Sequence, residues 1–224
     1  MTSRPSENAP GAGGFDRDRV RREILAAALR HVPFDGWSQA ALRQAAIDAG
    51  HAATMALRVF PGGPVEVVDF WCAEADRAMV AAMEERNAAA MKVRERVGLA
   101  VRLRLEPLTP HREAVRRGLG LLALPFNAGV ALKTLWRTLD AIWYAAGDTA
   151  TDFNFYTKRG LLAGVYSATL VYWLDDKSEG QADSWTFLER RIADIMRVPK
   201  ALAEIQKRFE DLPNPFRFFG AGRR

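Results

Sequence analysis

The chain has one cysteine, Cys72, and three histidines, His31, His51 and His111, among its 224 residues. A lone cysteine excludes an internal disulfide and any zinc site built from several thiolates. The histidines are scattered, and none has the His-x-x-x-His or Glu-x-x-His partner that would place two ligands on one helix face. Each reads as a surface or capping residue. No phosphate loop, nucleophile elbow or CxxC pair occurs, and the string GLGLLA from Gly118 imitates a dinucleotide fingerprint without the strand that must precede one. An enzyme is therefore not expected, and no cofactor or metal is called for.

Long apolar runs are also missing. The greasiest stretch, residues 118–132, contains Pro125 and Asn127 and falls short of the roughly 20 residues that cross a bilayer. Residues 1–15 are rich in Gly, Pro and Ser and lack an apolar core segment, so they read as a disordered arm and not as a secretory signal. Glu7, Asp16 and Asp18 argue against a mitochondrial transit peptide, which avoids acids. What is present is globular: 49% hydrophobic, 26% charged, with a net charge of +5 that favours anionic partners. A chain of this length buries roughly 70% of its unfolded surface, enough for a core without staples.

Apolar spacing and breakers predict helices throughout. The first runs from Asp16 to His31 and ends at Pro33; Ser38 caps a second that Gly50 closes; a third covers Ala53 to Phe60. This order, over residues 16–63, is that of a helix-turn-helix unit. Its third helix offers Arg58 as its one cation and runs into PGGP, so it lacks the donors that a DNA reader needs. Pro64 opens a fourth helix reaching Met91, with Val68, Trp71, Ala75, Ala78 and Ala82 inward. Further helices follow over Val93–Leu105, His111–Leu124 and Asn127–Ala146. In the last of these Leu132, Trp136, Leu139 and Trp143 share a face, with Leu135 and Ile142 beside it. That face is either plain core or the wall of an elongated apolar pocket.

Gly147 suits the turn before a helix of about six turns, capped by Thr151 and running from Asp152 to Asp175. Leu161, Val165, Ala168 and Tyr172 make its core stripe, while Gly160, Gly164 and Ser167 form a seam that another helix can approach. Asp152, Tyr156, Arg159 and Ala163, flanked by Phe155, mix charge and rings as interface anchors do. Asp175 and Asp176 read as a solvated helix end. Residues 183–198 are amphipathic through Trp185, Leu188, Ile192 and Ile195, and are expected to lie on the small-residue seam. Finally Leu202, Ile205, Phe209 and Leu212 share a face, followed by Phe216, Phe218 and Phe219. From Pro199 there are six basic residues against three acidic ones. That composition predicts an interfacial membrane helix over 199–224.

The stretch TDFNFYTKR, then LLAGVYSATLVYWLDDKSE, then DSWTFLERRI, resembles the ninth-Coq-gene-product family, accessory proteins of ubiquinone biosynthesis. The likeness is dense over residues 147–192 and looser over 20–147. It implies an all-α, TetR-like fold, with residues 64–198 as a lipid-binding core, and a homodimer made by the last two core helices. It implies that the chain binds an isoprenoid quinone intermediate around Leu132, Leu135, Trp136, Leu139 and Trp143. It also implies presentation of that lipid to demethoxyubiquinone hydroxylase, a di-iron enzyme, docked through Asp152, Phe155, Tyr156, Lys158 and Arg159. The membrane surface would be the inner face of a bacterial inner membrane, or the matrix side in a eukaryote, and no nucleic acid is expected. The rival is a TetR-type repressor sensing a lipophilic ligand.

Overall fold

A computed structural model describes residues 16–86, 88–147 and 153–195. The arm at residues 1–15, Thr151 and Asp152, and the whole segment 199–224 lie outside the described residues. Among those described, every regular element is helical: α1 (Arg17–Asp35), α2 (Gln39–Asp48), α3 (Met55–Val59), α4 (Pro64–Glu85), α5 (Val93–Leu105), α6 (Arg112–Leu122), α7 (Ala128–Ala145), α8 (Phe153–Asp175) and α9, described over 182–195, with short 3₁₀ turns between several of them. No single helix among them is long and apolar enough to cross a membrane. The chain divides into two compact units, one of residues up to Glu74 with Leu108–Thr134, the other of Ala75–Pro107 with residues from Leu135 onward.

In the first unit α1 packs on α2, α3 and α6. Asp16 caps α1 by accepting from the Arg19 N–H, and Ser38 caps α2 by accepting from the Ala41 N–H. The helix does not stop before Pro33, as the sequence predicts, but runs on to Asp35 and ends at Gly36, whose φ of 68° only glycine adopts freely. A proline so near the C-terminus forfeits one hydrogen bond of the last turns, while its own carbonyl accepts from Arg117 Nη2 at 3.0 Å. Ile24, Ala28, Val32, Ala45, Val59 and Phe60 are fully buried. Trp37 donates to the Ala114 carbonyl (3.0 Å) and lies 5.7 Å from Trp71. A side chain at Gly118 would meet Trp37 Nε1 at 3.4 Å and Val68 Cγ1 at 3.5 Å, so that glycine lets α6 close on both.

The second unit holds the lower half of α4, α5, most of α7, α8 and α9. Its core is Met79, Met83, Val97, Val101, Leu105, Leu139, Ile142, Leu162, Trp173 and Leu188. The inward stripe of α4 is set by Asp76, Met79 and Met83, and Ala78, expected inside, is exposed. The helix also ends at Glu85, not Met91. On α8 the core stripe lies one position further along than the sequence suggests: Leu162, Val165, Tyr166, Thr169 and Trp173 are buried, while Ala168 and Tyr172 are exposed. Tyr172 instead stacks on Phe187 of α9 with centroids 4.7 Å apart. Helix α9 does not fill the small-residue seam. It packs on α5, where a side chain at Gly98 would meet Ile192 at 3.4 Å and where Arg102 lies over the Trp185 ring. Nothing lies within 4 Å of a Cβ built at Gly160 or Gly164.

Candidate functional site

Two polar clusters fix the helices that carry the candidate residues, and the sequence reading found neither. Asp76, 4% exposed, accepts from Arg104 Nε (2.7 Å), Arg137 Nε (3.3 Å) and Thr138 Oγ1 (2.9 and 3.1 Å), binding α4, α5 and α7 through one carboxylate. A buried charge is tolerable only when paired and hydrogen-bonded in this way. The readable signal was an acid in line with Met79 and Met83 on α4, and Arg104 in line with Val97 and Val101 on α5: opposite charges at core positions of two helices.

Asp176 follows α8. Its Oδ1 accepts from the Ser178 N–H and hydroxyl (2.8 and 2.6 Å), and its Oδ2 from the Ser184 N–H and hydroxyl (2.8 and 2.5 Å). Burial works to raise the carboxyl's pKa, but these four bonds outweigh it and hold the pKa down at about 2. The residue is thus no solvated loop acid: it sets the corner from α8 into α9.

Of the predicted docking residues, Asp152 and the side chains of Phe155, Tyr156 and Lys158 lie outside the described residues. Arg159 is described, and it is not displayed. Its side chain is buried and donates through Nε and Nη2 to Asp140 Oδ1 at 3.0 and 2.5 Å, tying α8 to α7. It positions the start of α8 and does not offer a surface charge.

The predicted lipid wall is split along α7. Leu139 and Trp143 are core residues, 1% and 7% exposed, Leu135 is half-buried, and Leu132 and Trp136 are 67% and 38% exposed. The described pockets are lined by none of the five. The larger, about 650 Å³, lies between α5 and α9. Met91, Leu99, Trp185, Leu188 and Ile192 give it apolar walls, with Arg94, Arg102, Glu95 and Glu189 among the lining charges. A second, about 290 Å³, lies between the ends of α4 and α7 and the start of α5. Among the described residues no group of three or more His, Cys, Asp or Glu side chains could hold a metal ion.

The histidines have local partners: His31 Nε2 is 2.6 Å from Asp48, His51 Nε2 is 2.8 Å from Glu23, and His111 packs edge-on to Trp71. Bonds from Gln44 and His31 lower the Asp48 pKa. In α3, only five residues long, Arg58 is the lone cation.

An all-helical chain of this order has the fold of TetR regulators. It superposes on the crystal structure of the TetR transcriptional regulator from Nitrosomonas europaea with a TM-score of 0.65, covering 79% of this chain and 97% of that one at 19% identity. The family is a different matter from the fold. A COQ9 family model matches residues 128–199, and curated proteins called ubiquinone biosynthesis protein COQ9, mitochondrial, match most of the chain. The one from Drosophila melanogaster is 32% identical over 84% of this chain, and the one from Homo sapiens 31% over 87%. The chain belongs to the COQ9 family. It spans 59% and 63% of the length of those two relatives.

Proposed function

We propose that this protein serves ubiquinone biosynthesis as a non-catalytic accessory that binds a polyisoprenoid quinone intermediate and presents it to demethoxyubiquinone hydroxylase. The observation that carries the reading is the match to ubiquinone biosynthesis proteins across more than four fifths of the chain. The α5–α9 groove supports it better than the α7 face does. Its volume falls in the usual range for ligand sites, about 300–1,000 Å³, and its apolar walls suit part of an isoprenoid tail. The rings and cations of residues 199–224 suit anchorage on an anionic membrane, at the inner face of a bacterial inner membrane or the matrix side in a eukaryote. The seam at Gly160 and Gly164 suits a second copy, giving a homodimer.

Docking of the hydroxylase through Asp152, Phe155, Tyr156 and Lys158 is tested by pull-down. Tyr156→Ala should abolish capture while helical content is kept, and undiminished capture would reject the assigned face. The regulator reading is tested by titrating duplex DNA at several salt concentrations; the reading proposed here expects no salt-dependent complex, because α3 carries one cation for phosphate contacts.

A further inference from the structure

The smaller pocket contains an arginine that forms no ion pair among the described residues. Arg96, half-buried on the first turns of α5, lines it together with Val80, Met83, Glu84, Tyr144 and Ala145. Its Nε is buried, and nothing among the described residues accepts from it. A buried N–H without an acceptor is costly, and an anion in the pocket would answer it. Gly147, at φ 77°, lies so close that a Cβ there would come within 3.0 Å of Nη1 and 3.5 Å of Cζ. The absent side chain leaves room for the guanidinium beside the backbone.

We infer that this pocket binds an oxyanion, with Arg96 as the receptor. The chemistry of the wall narrows the class. A guanidinium matches the paired oxygens of a carboxylate or a phosphate. Glu84 lines the same pocket, and its like charge disfavours a dianion, which leaves a monoanion: a carboxylate or a phosphodiester. Val80, Met83 and Ala145 provide apolar contact for whatever carries that group. The site is separate from the α5–α9 groove and stands whether or not the lipid-delivery reading holds.

Titration calorimetry of the full chain tests the assignment with three probes: acetate, dimethyl phosphate, and dihexanoyl phosphatidylglycerol below its micellar concentration. The wild type should bind at least one of them. Arg96→Met should weaken that binding about tenfold or more, the loss of one charge-assisted pair, and Glu84→Gln, at an exposed position, should strengthen it. Much tighter binding of the phosphatidylglycerol than of dimethyl phosphate would identify a lipid headgroup as the source, and equal binding a free anion. Melting temperature in chloride gives the second readout. Replacing an unpaired donor should leave it unchanged or raised, whereas a packing arginine would lower it. Wild-type protein that binds none of the probes, or Arg96→Met protein that binds as well as wild type, would overturn the site.

Discussion

Asp175 and Asp176 are neighbours at one helix end, yet one is exposed and the other is buried and holds four hydrogen bonds. Because the Asp176 pKa is depressed to about 2 from an ordinary value near 3.8, its stabilising contribution is present in full above the ordinary value and is lost as pH falls through about 2. Denaturant unfolding at pH 4, 3 and 2 should show stability falling across that window, with a shallower fall in Asp176→Asn. A parallel fall in the two proteins would count against the assignment. At neutral pH Asp176→Ala strands the Ser184 donors and should cost about 2–4 kcal/mol. The other residue-level anchor behaves likewise: Asp76→Ala leaves Arg104 buried without its partner and should cost about 3–5 kcal/mol by urea unfolding. Neither acid could be singled out from the sequence by residue type, because a lone Asp in a helix is more often solvated. What separates them from Asp175 is the partners that arrive: for Asp176, serines two and eight residues on, and for Asp76, arginines and a threonine brought in from α5 and α7.

At the scale of elements, helix existence was legible and facing was not. Local signals at Asp16, Ser38 and Gly147 placed the starts of α1, α2 and α8 to within a few residues, whereas Pro33 misplaced the end of α1, which Gly36 sets. The error on α8 was one of rotation. Leu161 and Leu162, or Val165 and Tyr166, lie on adjacent faces, and a helix this apolar presents no polar side to fix its core direction. The same ambiguity split the α7 face, whose four apolar residues share an angle while only Leu139 and Trp143 are covered. The open glycines of α8 give a direct prediction. Since a Cβ at Gly164 meets nothing, Gly164→Ala should keep the fold and raise the stability of the isolated chain by up to about 1 kcal/mol through helix propensity. Gly164→Leu should instead shift the protein to monomer in sedimentation equilibrium if a second copy packs on that seam; an unchanged mass would reject the seam as a dimer contact.

For the molecule as a whole, the TetR-like order of helices sets no function by itself, because one fold hosts many. Family membership was legible from a run of residues centred on α8, and those residues hold mixed roles here. Arg159 braces α8 against α7, and Asp176, in the same run, turns the chain into α9. The proposed docking and membrane segments, by contrast, rest on residue type and order. The groove between α5 and α9 was not readable, since its walls come from two helices separated by some ninety residues and neither stripe is unusual alone. On the proposed lipid-binding reading, Leu188→Arg places a charge among those walls and should lower the lipid recovered with the protein while helical content is kept.

The central claim is that this chain carries a quinone-type isoprenoid. Protein purified without detergent, extracted with organic solvent and analysed by mass spectrometry, tests it most directly. The account predicts an isoprenoid quinone intermediate in the extract, close to one per binding groove, and its loss from Leu188→Arg. An extract free of isoprenoids from well-folded wild-type protein would contradict it.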